Sequence, residues 1–287
     1  MQVDKFASSS LANLQTLLEV EMSNNGLGNL DDLFLSAQDD GLTEDTLDLV
    51  ISNLNGPTMM GQVGVPLSQL ATNEVTLAMN IIDMSGSMSP HAADLMKAYN
   101  DHYLAAMVGS TAVDDILVST ILFNDSVTLL HGYVNLADAP RLTTQEFQPY
   151  GATALYDAVA GGLTNMVLYA QQLRQSGVMV RCIVMVYSDG EDNSSKQRAG
   201  DIKRTAQELL KQEIYTLAFV GFVMGQGQMG FRTGKQPDPV RQMADEIGFT
   251  EALRAGLNAA ELRRIFHMAS MSTVQVSQGR AVAAGVF

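Results

Sequence analysis

The chain has 287 residues, 46% of them hydrophobic. That is enough for one α/β domain of roughly 200 residues with an appendage, and it excludes wholesale disorder. Its 31 acidic against 17 basic residues leave a net charge of −14, a field that repels phosphate backbones and argues against nucleic acid as a partner.

Residues 1–60 carry ten acidic side chains and one base, Lys5, so most of the negative charge lies in a fifth of the chain. The sequence begins MQVDKFASSSLANLQ, without the basic start and apolar stretch of a secretory signal. Two segments there have helical periodicity: Leu11, Leu14, Leu18, and Leu47, Val50, Ile51, Leu54, with Thr43 placed to cap the second. The breaker Asn55-Gly56-Pro57 ends this stretch. The expectation is an acidic helical extension over 1–65, a main domain over 66–280, and a tail over 281–287.

From Val75 onward strands alternate with amphipathic helices, the pattern of a largely parallel sheet covered on both faces. VTLAMNIID (75–83) reads as a buried strand, followed by a helix over about 90–108. DILVSTILFN (115–124) and SVTLLHG (126–132) read as a hairpin at the sheet edge. ALYDAVAGGLTNMVLYAQQLRQ is a long helix. VRCIVMVYSDG is the most apolar strand, belongs at the sheet centre, and holds the one cysteine, Cys182, as a core residue. A helix over 199–212, a strand over 214–222, a glycine-rich loop, and helices over 239–247 and 259–269 complete the chain. No run approaches the roughly 18 apolar residues of a membrane span, so a cytoplasmic protein without membrane contact is expected. The predicted fold is doubly wound α/β, with a mostly parallel six-stranded sheet, a short antiparallel edge strand and helices on both faces.

Two of the strands end in carboxylates, Asp83 and Asp189, each followed by small polar residues, DMSGSMS and SDGEDN. In a parallel sheet both ends fall on the edge where ligands bind, and the loop QPYGATALYDA brings Thr153 there. That edge would then gather Asp83, Ser85, Ser87, Thr153 and Asp189, hard oxygen donors suited to Mg²⁺, Mn²⁺ or Ca²⁺. For any one of them, helix capping is the plainer role. Asp157, Glu191 and Asp192 read as surface or supporting groups rather than ligands, and Asn193 has no assigned role.

Asp83-Met84-Ser85-Gly86-Ser87 resembles the DxSxS signature of von Willebrand factor A domains, and Thr153 and Asp189, 70 and 106 residues after Asp83, match that family's later threonine and aspartate in order and context. The resemblance spans roughly residues 70–280. It implies a metal-ion-dependent adhesion site, in which the serines and threonine touch the cation and the aspartates act directly or through water. An ion with few charged ligands stays electrophilic, and its open position would take an Asp or Glu of a partner protein. The ending ELRRIFHMASMSTVQVSQG is similar to bacterial cytosolic members linked to tellurium resistance and to AAA+ ATPases, which implies an adaptor in a multiprotein system.

Several other readings are weaker. GQGQMG (225–230) matches a dinucleotide-binding pattern, but no helix opens from it; it reads as a rim loop. An aspartyl phosphotransferase would need a second aspartate where Met84-Ser85 stands. Ser85 as a nucleophile would need a histidine base, and His91, the nearest, has no acid to orient it. No enzyme is expected, and a metal-dependent phosphatase or hydrolase ranks below a structural or oligomerising protein with a vestigial metal site. An acid among residues 31–48 could occupy the domain's own metal, although a solvated cap or dimerisation element is the plainer reading.

Overall fold

The structure, a computed structural model, describes residues 30–53, 64–70, 72–190, 192–223 and 238–280. Among the described residues helices α1 (Leu30–Asp39) and α2 (Glu44–Asn53) come first. Strand β1 (Glu74–Asp83) follows, then α3 (Ala92–Ala98), a π-helical turn (Tyr99–Leu104) and α4 (Ala105–Val108). Next are β2 (Ile116–Phe123), β3 (Val127–Asn135), α5 (Leu155–Gln175) and β4 (Met179–Ser188). The chain continues through α6 (Ala199–Leu209), β5 (Tyr215–Val223), α7 (Pro239–Ile247), β6 (Glu251–Gly256) and α8 (Ala259–Ser277).

The six strands lie in the order β3-β2-β1-β4-β5-β6. Every neighbouring pair is parallel except β2 and β3. The antiparallel edge strand β3 spans nine residues, so it is not short; the shortest strand is β6, with six. β6, EALRAG, is absent from the sequence reading because it has no apolar run, and its pairing with β5 gives it strand form.

Along β1, Leu77, Met79 and Ile81 pack on one side with α5, while Ala78 and Ile82 pack on the other with α3 and α8. This alternation explains why a near-continuous apolar run forms a central strand with both faces covered. The helix expected over 90–108 exists but contains the π turn. Tyr99 and Tyr103 are both fully buried, stacked at 5.5 Å. The Tyr99 hydroxyl lies 2.7 Å from Thr120 Oγ1, and Asn80 Nδ2 donates to Tyr103 Oη at 3.3 Å.

The last helix runs eight residues past its expected end at Ala269. Its buried Ser270, Ser272 and Thr273 hydroxyls return to the helix's own carbonyls at 2.7–3.0 Å, so polar residues are buried there without leaving the helix.

Helix α1 is a second addition to the sequence reading. Leu33, Ala37, Leu42, Leu47, Leu49 and Val50 join the same apolar cluster as α5 and the sheet. Thr43 stands at the start of α2, its carbonyl accepting from Leu47 N. Its hydroxyl, however, donates to Glu208 at 2.6 Å rather than capping. Asp40 is held by Arg174 and Gln171 near the end of α5, about 28 Å along that helix from its start. That contact places Asp40 at the edge opposite Asp83 and Asp189, against the expectation that it could occupy the domain's own metal. The helix expected around Leu11–Leu18, the break at 55–57, the loop 225–230, Glu191 and the tail 281–287 lie outside the described residues.

Candidate metal centre

β1 and β4 run parallel and side by side, so Asp83 at the end of one and Asp189 just past the other arrive at the same edge. Beyond Asp83 the chain turns sharply. Asp83 Oδ1 accepts from the backbone N–H of Ser85 at 2.7 Å, a turn closed by the aspartate's own side chain. The turn leaves Ser85 Oγ 3.1 Å from Ser87 Oγ, and Ser87 Oγ donates to Asp189 Oδ2 at 2.5 Å. The other Asp83 oxygen, Oδ2, accepts from Ser188 Oγ at 2.6 Å. Four of the expected residues, Asp83, Ser85, Ser87 and Asp189, therefore belong to one connected oxygen cluster.

Thr153 lies on the loop that docks against this cluster, but its hydroxyl makes no hydrogen bond to the other four among the described residues. Gly86 N donates to Gly151 O at 3.1 Å, and Tyr150 N to Met84 O at 3.1 Å. A Cβ on Gly86 would stand 3.3 Å from Gly151 O, and Gly151 has φ 76°, a conformation that suits glycine. Two glycines thus let the loops meet. On its other side Thr153 is clasped by Asn193. Thr153 N donates to Asn193 Oδ1 at 2.8 Å, and Asn193 N to Thr153 O at 3.0 Å. Asn193, without an assigned role in the sequence reading, joins the loop carrying Thr153 to the loop after Asp189.

The capping alternative does not describe Ser85 or Thr153. Ser85 precedes the 3₁₀ turn Gly86–His91 but makes no side-chain capping bond. The residue at the cap position of α5 is Ala154, not Thr153. The open amides of α5 are satisfied from the loop after β4: Tyr156 N by Asp192 Oδ1 at 3.3 Å and Asp157 N by Ser195 Oγ at 3.0 Å. In return Asp157 accepts from the N–H groups of Lys196 and Gln197. Asp157 and Asp192 are thus bound to backbone, as supporting groups. The supporting role agrees with the sequence expectation, while the partners themselves, 36–40 residues away, were not legible there.

Among the described residues no positively charged side chain contacts the cluster. Asp83 is fully buried and Ser85 and Thr153 nearly so. Burial pushes the Asp83 carboxyl above its ordinary value. Hydrogen bonds from Ser188 and Ser85 pull it back, and the neighbouring Asp189 charge raises it again. Among the described residues Asp189 Oδ1 is buried without a hydrogen-bond partner, a costly state for a carboxyl oxygen. Among the described residues no group of three or more His, Cys, Asp or Glu is arranged for a metal. The donors brought together here are two carboxylates and the hydroxyls of Ser85 and Ser87, with Thr153 on the adjoining loop. That set fits a hard divalent cation, whose charge would answer the orphaned oxygen and the buried carboxylate together.

No protein-family model matches the chain, and no curated protein matches it. Solved structures similar to it include the PilB minor pilin from Streptococcus sanguinis, at TM-score 0.49 and 14% identity, covering 74% of this chain and 63% of that one. This chain therefore spans just under two thirds of the pilin's length. The pilus adhesin SpaC from Lactobacillus rhamnosus GG is similar at TM-score 0.48 and 12% identity, covering 72% of this chain and 31% of that one. Proximal thread matrix protein 1 from the mussel byssus, with a zinc-occupied MIDAS motif, is similar at TM-score 0.42 and 15% identity, covering 71% and 46%.

Proposed function

We propose that this chain is a von Willebrand factor A-type module that binds a protein partner through a divalent cation held by Asp83, Ser85, Ser87, Thr153 and Asp189. The observation that carries this reading is the buried Asp189 Oδ1, without a partner among the described residues, on a carboxylate whose other oxygen accepts from Ser87, itself beside Ser85. A cation there would draw Ser87 Oγ from its bond with Asp189 into the ion's own shell. With two carboxylates as its charged donors, the ion would keep enough unneutralised charge to take an Asp or Glu from a partner. Mg²⁺ is the expected ion, with Mn²⁺ and Ca²⁺ as substitutes.

The role is that of a non-catalytic adaptor in a cytoplasmic multiprotein system, such as one built around an AAA+ ATPase. No helix among the described residues is long and apolar enough to cross a membrane. Calorimetric titration of Mg²⁺, Mn²⁺, Ca²⁺ and Zn²⁺ tests the reading. The wild type should show one saturable site, lost in Asp189→Ala and in the Ser85→Ala/Ser87→Ala double variant, both of which leave the buried Asp83 in place. Absence of saturable binding by every ion would leave the structural, oligomerising reading in its place.

A further inference from the structure

Helices α6 and α7 pack against each other on the face of the sheet that α5 also covers. Between them is a hollow of about 440 Å³. Thr250, on its lining, leads into β6, which runs parallel to β5. That end of the hollow therefore lies at the edge of the sheet opposite Asp83 and Asp189. The two helices come closest at Gly248, the left-handed residue that ends α7, where a Cβ would stand 2.9 Å from Lys203 O. Glycine suits that backbone and leaves the space the contact needs. From the α6 side come Lys203, Gln207 and Leu210, whose spacing puts them on one helix face. Half-buried Leu210 and the ring of Phe249, 1% exposed, give the hollow its apolar surface.

The charges around the hollow do not balance. Its one acid, Asp245, stands 2.8 Å from Arg241 Nη2 and is answered there. Arg241 Nη1 also donates to Thr250 O at 2.7 Å, so the guanidinium is held in place with N–H groups to spare among its five. Half-buried Lys203 has no hydrogen-bond or ion-pair partner among the described residues, and the Gln207 amide has none either. One positive charge is thus left over beside an apolar surface, on a chain whose net charge is −14. We propose that this hollow binds a small organic anion, with its carboxylate or phosphate on Lys203 and Arg241 and its apolar body against Leu210 and Phe249. The volume is that of a small-molecule site. Inorganic phosphate would leave the apolar surface wet, and a neutral molecule would leave Lys203 without the oxyanion that its ammonium suits. The site is separate from the candidate metal centre and does not depend on the function proposed for it.

The test is calorimetric titration of the whole chain with 1-naphthoate, 1-naphthyl phosphate and the neutral 1-naphthalenemethanol. The protein is first stripped of metal with EDTA and dialysed, so that no cation elsewhere can take the oxyanion. At least one of the two acids should fill a single site, about tenfold more tightly than the alcohol, and which acid does so names the oxyanion. Lys203→Gln should weaken that binding about tenfold, and Lys203→Arg should keep most of it. Lys203 has no side-chain partner to lose among the described residues, so both variants should fold. Arg263→Gln removes the same charge from exposed α8, which packs on the other face of the sheet, and should leave binding unchanged. No saturable site below about 1 mM, an alcohol that binds as tightly as the acids, or affinity unmoved by Lys203→Gln overturns the proposal. Equal weakening by Arg263→Gln overturns it too, since net charge alone would then account for the binding.

Discussion

At the edge of the sheet opposite the candidate centre, three acids have found partners within the chain. Asp40 lies 2.7 Å from Arg174 and accepts from Gln171 at 2.9 Å. Glu74 pairs with Arg181, and Glu208 takes the hydroxyls of Thr43 and Thr46. At the other edge Asp83 and Asp189 are served by hydroxyls and one amide, with no cationic side chain against them among the described residues. The same fold thus meets the needs of its carboxylates at one end and leaves them short of positive charge at the other. Burying a carboxylate without a cation is costly, so the far edge serves to hold the chain together, and the proposed cation would supply the charge that the near edge lacks.

The largest effect expected from this contrast falls on the far edge. Leu33 is 1% exposed and sits in the same apolar cluster as α5, so Leu33→Ala should cost about 2–5 kcal/mol. Urea unfolding gives the stability, and hydrogen exchange across residues 30–53 should show α1 and α2 losing protection first. A cost under about 1 kcal/mol would mean that these helices are peripheral and the far edge is not a structural seam.

The near edge was largely legible in the sequence, and the far edge was not, for physical reasons. A parallel sheet dictates that strands ending in Asp83 and Asp189 finish side by side, and the serines between small residues follow directly. Helix α1, LDDLFLSAQD, escaped because three of its ten residues are acidic and it becomes a helix by docking Leu33 and Ala37 onto α5. The second half of α8, rich in serine and β-branched residues, disfavours a helix locally and is held in one by packing. Asp192 and Ser195 cap α5 from across the sheet edge, and no local pattern encodes that.

A matched pair of substitutions sharpens the contrast with a smaller effect. Asp40→Asn breaks a half-buried ion pair and should cost about 1 kcal/mol after allowing for solvent screening. The same change at the other edge, Asp189→Asn, removes a negative charge next to Asp83 and an orphaned oxygen. In EDTA it should therefore be neutral or stabilise by a few tenths of a kcal/mol. Urea midpoints on the two variants and wild type, all in EDTA, check this. Equal costs at both sites would show that the near edge is already satisfied without a cation.

The smallest effect is a pH dependence at the far edge. Burial raises the Glu208 carboxyl, but the hydroxyls of Thr43 and Thr46 and the Thr43 N–H outweigh it, so the group sits below its ordinary 4.5. A carboxyl depressed by folding stabilises the native state above its unfolded pKa, and that contribution is lost as pH falls through the folded value. Glu208 is half-buried, so after allowing for solvent screening the contribution is under about 1 kcal/mol. Glu208→Gln should therefore lower stability at about pH 6 and converge on wild type at about pH 3, read as urea midpoints in EDTA. Asp83, raised rather than lowered by its surroundings, contributes with the opposite sign in the absence of a cation. A stability gap between Glu208→Gln and wild type that widened on acidification would mean that Thr43 and Thr46 do not hold the carboxylate form, and the ordering of the two edges would fail at its best-defined contact.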